Sequence, residues 1–177
     1  MGLQIGNIVS RKEIQFDELK GKILAVDAYN ALYQFLTSIR QPDGTPLMDF
    51  KGHVTSHLSG IFYRNVALIS EGIKLVYVFD GAYHPLKNRT QESRMDSKTE
   101  AREKYEKAKE EEDVETMGKY ARGFVKLDKE ILGESIALLE AMGIAIVQAQ
   151  GEGEMQCAQL VKDGEAWAVA SQAYDAL

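Results

Sequence analysis

Five acidic residues follow the ends of short apolar runs in this sequence: Asp27, Asp80, Glu152, Glu154 and Asp175. Carboxylates that are brought to one place repel each other strongly unless cations neutralise them. Oxygen ligands without cysteine or histidine select hard divalent cations such as Mg²⁺ or Mn²⁺. Two such ions about 3.5–4 Å apart can clamp the attacking and leaving oxygens of a phosphoryl displacement. The pattern therefore predicts a metal site for phosphoryl chemistry, if the fold gathers these side chains.

A plainer interpretation stays open beside this one. Acidic residues are common where strands end, and Asp80-Gly81 alone is typical of a turn. The sequence contains no glycine-rich loop of the Walker type, which would point to a nucleotide. The acids would then only cap helices or turns, and the chain would be an α/β domain without a metal site.

The apolar pattern predicts the elements that must position the acids. Short runs rich in β-branched residues indicate buried strands at 22–28, 73–79, 144–149 and 167–170. Between them, apolar residues recur at helical spacing, as in Leu32, Phe35, Leu36 and Ile39, in 57–72, in Leu132, Ile136, Leu139 and Met142, and in 155–162. This alternation predicts an α/β fold with a mostly parallel sheet flanked by helices. The carboxyl ends of parallel strands share one edge, where open sheets bind ligands.

Residues 41–56 interrupt the alternation with two prolines and two glycines, which is typical of a surface loop. Three apolar residues lie inside this loop: Leu47, Met48 and Phe50. They could form an exposed wedge, but we expect a small satellite core, because apolar side chains are usually covered.

Residues 84–131 form a second interruption, which is highly charged. Positions 87–109 hold 8 basic and 5 acidic residues, and an acidic stretch follows at 110–115. Arg94, Lys98 and Arg102 recur every fourth residue and so share one face of a helix. A solvated helical hairpin would explain this composition. The alternative is a basic helix that faces phosphate groups.

Composition sets broader limits. The chain has 177 residues, 45% of them hydrophobic, and a formal net charge of −6, which weakly disfavours a nucleic-acid binder unless a basic patch is segregated. A single cysteine excludes an internal disulfide and fits a reducing compartment. No apolar run approaches the roughly 20 residues of a membrane span. We therefore expect a cytoplasmic monomer without membrane attachment, and a chain cut short, because it stops just after a strand.

Seven segments make the sequence familiar: VDAYNALYQFL, RQPDGTPLMD, TSHLSGIFYR, VYVFDG, ALLEAMGIAIVQA, GEGE and SQAYD. In order and spacing they resemble the archaeal flap endonucleases of the XPG nuclease superfamily. The resemblance runs from Met1 to Leu177 and covers only the front half of such an enzyme. It implies a PIN-like nuclease core in which residues 1–177 are the N-terminal part of one nuclease domain and 84–131 are a helical arch.

The resemblance also implies an activity. Such an enzyme is a structure-specific 5′ flap endonuclease and 5′ exonuclease of DNA replication and repair, which uses two Mg²⁺ ions that Mn²⁺ can replace. Its partners would be branched DNA and a sliding clamp, which binds a C-terminal tail beyond Leu177. Its location would be the archaeal cytoplasm, at the nucleoid. The alternative is a module that binds branched DNA without cutting it.

Site residues follow from the same resemblance. All five strand-end acids match metal-site positions, and Lys87 and Arg94 match a catalytic basic pair at the base of the arch. Arg40 and the 41–56 loop match the wedge at the DNA junction, and Tyr33 matches an aromatic on which a terminal base stacks. The predicted DNA-binding residues are Gly2, Tyr33, Arg40, Lys98 and Arg102.

The sequence departs from the family pattern near its end. The family has a second Asp two residues before Asp175, where this chain has Ala173. Losing one carboxylate from a two-metal cluster should weaken the binding of at least one ion. Ala173 therefore predicts impaired catalysis. A Pro-Pro that the family often shows after Asp-Gly is also absent here, because Ala82 and Tyr83 occupy those positions.

Overall fold

The computed structural model describes residues 8–10, 12–81 and 127–172, with scattered positions between 103 and 120. The chain divides into two compact units, the first from Met1–Ala31, Ile61–Tyr83 and Ile136–Leu177, the second from Leu32–Gly60 and His84–Ser135. The assignment of 1–177 to part of one domain stays a prediction. Predictions that fall outside the described residues concern Gly2, Lys87, Arg94, Lys98, Arg102, Ala173 and Asp175.

A parallel sheet forms the centre of the first unit. Its strands in chain order are β1 (Ile23–Asp27), β2 (Lys74–Phe79), β3 (Ala145–Gln148) and β4 (Ala168–Ala170). Within the described part of the chain, the spatial order is β3-β2-β1-β4, and each neighbouring pair is parallel. The predicted fold class and strand positions are confirmed, although each strand is one or two residues shorter than predicted.

Strand register explains why the acids meet. Asp27 pairs with Val78, and Phe79 pairs with Gln148, so the last residues of β1, β2 and β3 stand at the same edge. Below this edge, Ala25 and Val78 pack with Cys157 and Leu160 in a buried apolar cluster. The sheet therefore presents its carboxyl ends above a close-packed core.

Helices lie between the strands along the described chain. Their bounds are α1 (Ala28–Ser38), α2 (Ser56–Ser70), α3 (Lys129–Ala141) and α4 (Gly153–Lys162), and a short 3₁₀ turn spans Phe16–Leu19. On α1, Leu32, Phe35 and Leu36 are buried, as their spacing predicts. Among the described residues, none of the helices combines the length and apolar character that crossing a membrane requires.

The buried side of α3 differs from the predicted one. The spacing predicts that Leu132 and Ile136 face the core, but the fully or nearly buried positions are Ile131, Ser135 and Leu139. Ser135 can occupy a core position because its hydroxyl donates a 2.6 Å hydrogen bond to the carbonyl of Ile131. A polar residue that is satisfied within its own helix is invisible to an apolar pattern.

The 41–56 loop of the second unit contains short backbone pairing, and two of its three apolar residues are exposed. Isolated antiparallel bridges join Arg40 to Pro46 and Met48 to Val54. At the tip, Phe50 is 94% exposed, and Met48 is 46% exposed. The expected satellite core is therefore wrong for these two residues.

The charged segment is helical at the positions that the structure describes between 103 and 110. Tyr105 and Ala108 are buried, and Tyr120 packs against them. The backbone amide of Thr116 donates to the Asp113 carboxylate at 3.1 Å. This part of the chain thus has a small core of its own, which a purely solvated hairpin would lack.

Candidate metal centre

Asp27 occupies the last position of β1 and is only 4% exposed. Its Oδ1 accepts a 3.1 Å hydrogen bond from the backbone amide of Asn30, in the first turn of α1. A carboxylate at this place satisfies an amide that has no partner within the helix. The strand end and the helix start therefore fix Asp27 from both sides.

Asp80 directly follows β2 and is held by a different helix. Its Oδ1 accepts a 2.7 Å hydrogen bond from the backbone amide of Gly153, the first residue of α4. The positive end of a helix dipole favours a carboxylate at this position. A Cβ atom at Gly153 would lie 2.8 Å from that same oxygen, so the missing side chain allows the close approach.

The segments that carry Asp80 and the two glutamates are joined beyond the ends of their strands. The backbone amide of Ala149 donates to Phe79 at 2.9 Å, and the amide of Gly81 donates to Gly151 at 2.7 Å. A Cβ atom at Gly81 would lie 2.2 Å from the carbonyl oxygen of Ala149, which no real contact allows. Gly81 is therefore required for the two segments to approach this closely.

The electrostatics of the site show that several acids are neighbours. Burial raises the pKa of Asp27, and the nearby Asp80 carboxylate raises it further, whereas hydrogen bonds from Asn30 and with Glu154 lower it. Burial also raises the pKa of the Cys157 thiol to about 12, with further contributions from Asp27, Glu154 and Asp80. Three carboxylates from separate stretches of the chain thus lie close enough to influence the same groups.

Glu152 lies immediately before α4, in an extended conformation with φ −77° and ψ 135°. Its carbonyl oxygen accepts a 3.2 Å hydrogen bond from Gln156. The residue is two positions from Glu154 and follows the turn that is joined to Gly81. It therefore lies on the segment that reaches Asp80.

The ligand type of these acids suits a divalent cation, whereas the positions of their described side chains do not form a metal site. They offer only oxygen donors, and their mutual repulsion is what a bound cation would relieve. Among the described residues, however, no group of three or more histidine, cysteine, aspartate or glutamate side chains is placed to hold a metal ion. Asp27 and Asp80 each direct an oxygen to a backbone amide instead. The metal-ligand role of each acid stays a prediction.

The capping interpretation explains part of this geometry. Asp27 bonds to the first turn of α1, and Asp80 bonds to the first residue of α4. Capping alone does not require that the Asp80 and Glu154 side chains lie close to the buried Asp27, where the Asp80 charge opposes the ionisation of Asp27. This crowding, rather than the individual bonds, favours a site.

The structure places two other predicted residues in the second unit. Tyr33 lies on α1 with 41% of its surface exposed. Arg40 donates from Nε to the carbonyl of Leu36 at 2.9 Å and from Nη1 to that of Gly44 at 2.6 Å. Arg40 therefore has a structural role, in holding the end of α1 to its loop. The DNA-binding roles of both residues stay predictions.

Three residues that position Asp80 were not predicted. Gly81 and Gly153 could have been found, because each is a glycine directly beside a strand-end acid. Gln148 gives no such signal, since the sequence shows only a polar residue near the end of a predicted strand. Its side-chain amide donates to the carbonyl oxygen of Asp80.

Comparison with known proteins identifies two family segments. The XPG N-terminal domain matches residues 3–101, which is more than half of the chain. The XPG I-region matches residues 143–177 and includes Glu152 and Glu154. The two matches thus cover all of the strand-end acids.

Individual relatives agree with this result. Flap endonuclease 1 of Methanothermobacter thermautotrophicus is 50% identical over all of this chain and 54% of its own length. The protein of that name from Pyrococcus furiosus is also 50% identical, over 52% of its length. The chain therefore spans about half the length of the curated relatives it matches.

Solved structures share the fold. Flap endonuclease-1 from Methanococcus jannaschii superposes with a TM-score of 0.73 at 40% identity, over 99% of this chain and 56% of that one. The catalytic core of Rad2 in complex with DNA substrate gives 0.62 at 27% identity, over 92% of this chain and 42% of that one. These neighbours confirm the predicted nuclease-type core of a parallel sheet flanked by helices. By its sequence and its fold, the chain belongs to the XPG family.

Proposed function

We propose that this chain is the front half of a structure-specific 5′ flap endonuclease, which hydrolyses phosphodiester bonds of branched DNA with two divalent ions. One observation carries the proposal: Asp27, Asp80 and Glu154 come from separate stretches and meet at one edge of a parallel sheet. The relatives named flap endonuclease 1 and the Rad2 structure with its DNA substrate support the substrate class.

In this proposal the acids at the carboxyl edge hold the ions. Asp27 and Asp80 are fixed by helix amides, and Glu152 and Glu154 stand on the segment joined to Asp80. When bound, Mg²⁺ would stabilise the negative charge that develops on the attacking and leaving oxygens, and Mn²⁺ could replace it. Asp175 would complete the ligand set from its place after β4.

The remaining predicted residues would position the DNA. Lys87 and Arg94 would neutralise the scissile phosphate, since positioned cations stabilise the charge of a phosphoryl transfer. Tyr33 would stack a terminal base, which contributes about 1–3 kcal/mol per base. Lys98 and Arg102 would contact phosphate groups. Arg40 would contact the DNA junction, and Gly2 would approach the DNA closely. A sliding clamp would bind a region of the full protein outside this chain.

Ala173 is the feature most at odds with catalysis. The family resemblance places a carboxylate at this position. We therefore propose that the catalytic activity of the protein with Ala173 is impaired, and that Ala173→Asp restores the binding of an ion. The decisive experiment measures cleavage of a 5′-flap duplex with Mg²⁺ by the protein and by its Ala173→Asp variant. We expect cleavage in the variant and its loss when Asp80→Asn is added.

The alternative function is a binding module for branched DNA. The packing of Tyr105, Ala108 and Tyr120 in the charged segment favours it, because an ordered segment of this composition could bind DNA without any chemistry at the sheet edge. Binding that persists in EDTA, with no cleavage by folded Ala173→Asp protein, would establish this function instead. If calorimetry shows no Mn²⁺ binding and no flap is bound, the acids only cap helices.

A further inference from the structure

We propose that Gln148 is a positioning residue that fixes Asp80 for the metal centre, an inference that rests on the proposed function. Gln148 ends β3 and is exposed at the sheet edge. Its side-chain Nε2 donates to two successive backbone carbonyls, those of Phe79, at 3.4 Å, and Asp80. A glutamine that serves only solubility would have no reason to reach across to the neighbouring strand.

The Asp80 carbonyl lies just past the point where strand pairing ends. Regular pairing between β2 and β3 reaches Phe79 and Gln148, and the amide of Ala149 still donates to Phe79 at 2.9 Å. The next carbonyl, that of Asp80, receives the side-chain amide of Gln148. Gln148 thus extends the ladder by one step, with a side chain in the place of a backbone amide.

Asp80 is consequently held at two points by one segment. Gln148 fixes its backbone carbonyl, and Gly153 fixes its carboxylate at 2.7 Å. Between them, Gly81 is tied to Gly151 at 2.7 Å. Without Gln148, the peptide after Asp80 loses its restraint on one side, and the carboxylate can tilt about the remaining bond. Metal ligands must be held within about 0.5 Å of the geometry that binds the ion, so such a tilt lowers the affinity for the ion.

The test compares Gln148→Leu with the matched control Gln159→Leu. Gln159 is an exposed glutamine on α4 whose Nε2 donates to Asp163 at 2.8 Å, away from the strand ends. Both changes remove one side-chain amide of equal size from the same unit. Both are made in the protein and in its Ala173→Asp variant. Mn²⁺ binding is measured by calorimetry, flap cleavage by steady-state kinetics, and amide hydrogen exchange at Gly81 and Gly153 by NMR.

We expect Gln148→Leu to weaken Mn²⁺ binding by about tenfold, the low end of losses for residues that orient metal ligands. We expect kcat to fall by a similar factor, KM for the flap substrate to stay unchanged, and exchange at Gly153 to accelerate. Gln159→Leu should match the parent in Mn²⁺ affinity, kcat, KM and exchange rate. We expect Gln159→Leu and Gln148→Leu to have the same melting temperature. A merely structural role of Gln148 would lower that temperature and leave the Mn²⁺ affinity of the folded protein unchanged.

The two proposals fail in distinguishable ways. If the parent proteins neither bind Mn²⁺ nor cleave DNA, the proposed function is wrong, and exchange at Gly153 alone decides whether Gln148 restrains Asp80. If the parents bind Mn²⁺ but Gln148→Leu binds it equally well and exchanges at the parent rate, the assignment of Gln148 is overturned while the metal centre stands.

Discussion

The two ends of the same sheet carry opposite charges in different surroundings. At the carboxyl end, Asp27, Asp80 and Glu154 are close neighbours, and Asp27 is buried. At the amino end, the exposed Lys22 lies with its Nζ 5.9 Å from the ring centre of Trp167. The amino end thus presents an exposed cation, and the carboxyl end presents neighbouring carboxylates, one of them buried.

The difference between the ends is one of coupling. Exposed charges are screened by water, so each residue at the amino end acts almost alone. At the carboxyl end, burial and repulsion make the protonation of Asp27 depend on Asp80. Changes at the carboxyl end should consequently alter several groups together, and changes at the amino end only one.

The largest expected effect compares two glycines, one at each end. Gly81→Ala would place a Cβ atom 2.2 Å from the Ala149 carbonyl, whereas Gly72→Ala, at φ +79°, meets only the flexible Lys20 side chain at 3.2 Å. We expect losses in the free energy of unfolding of about 3 kcal/mol for Gly81→Ala and about 1 kcal/mol for Gly72→Ala. Urea denaturation measures both. Equal losses would contradict the view that the carboxyl end is the more tightly packed.

The next effect is a pH dependence of stability that arises at neither end of the sheet. It must be measured separately from the effects at those two ends. His57 in the second unit is fully buried, with its Nε2 3.0 Å from Glu134 Oε2. Burial lowers the pKa of His57 below its ordinary value of 6.5, although Glu134 and Asp128 oppose this shift. No hydrogen-bond acceptor for its Nδ1 is found among the described residues, so a second proton would be unsatisfied there.

The unfolded chain therefore binds a proton on His57 more readily than the folded protein does, and stability falls as pH drops below about 6.5. We expect a loss of up to about 2 kcal/mol between pH 7 and pH 5. Denaturation at a series of pH values measures it. The slope should vanish in His57→Leu. A fall in stability toward low pH that survives this change would show that His57 is not its source.

A smaller effect, of opposite sign, is expected at Asp27. Because burial and Asp80 raise the pKa of Asp27 above 3.8, the folded state holds this proton more tightly, and stability falls as pH rises through the raised pKa. We expect Asp27→Asn to stabilise the ion-free protein at neutral pH by about 0.5–1 kcal/mol. The gain should disappear as pH approaches 3.8.

Asp17→Asn, which removes an exposed carboxylate, is the control for Asp27→Asn. Thermal denaturation in EDTA compares both with the parent. If Asp27→Asn destabilises the protein at neutral pH, repulsion between the acids at this edge does not lower the free energy of unfolding measurably.

The smallest effect is expected at the amino end. Lys22→Met keeps most of the side chain but removes the cation beside Trp167. We expect a loss of about 0.5 kcal/mol, typical of an exposed cation–π pair. High salt should reduce this loss, as measured by denaturation of both proteins with and without 1 M NaCl. A loss above that of Gly72→Ala would show that the amino end is coupled after all.

The sheet, its direction and the position of Asp27 and Asp80 at one edge were predictable from the sequence because each depends on local signals. Short apolar runs specify strands, and parallel strands put Asp27 and Asp80 at one edge whatever the details of packing. Prediction from the sequence failed where a polar group is satisfied by a partner that spacing does not reveal. Ser135 is buried because it bonds to Ile131, and the Gln148 side chain acts as a backbone donor.

The loop shows the converse failure. Phe50 is apolar and was expected to be covered, yet it is 94% exposed at the tip of a loop that contains two isolated bridges. Composition records what a residue prefers on average, whereas the turn geometry decides where a particular one points. The roles of residues that depend on DNA are a further step away, because they require a partner that the chain alone does not contain.

The amide that α4 offers to Asp80 has one more consequence. A helix terminus behaves as roughly half a positive charge, and here it is built into the fold and cannot dissociate. We expect this fixed partial charge to offset part of the repulsion between Asp80 and its neighbouring carboxylates before any cation binds. If the proposed function holds, folding would then come first, and the supply of divalent cations would govern only the later step at which activity begins.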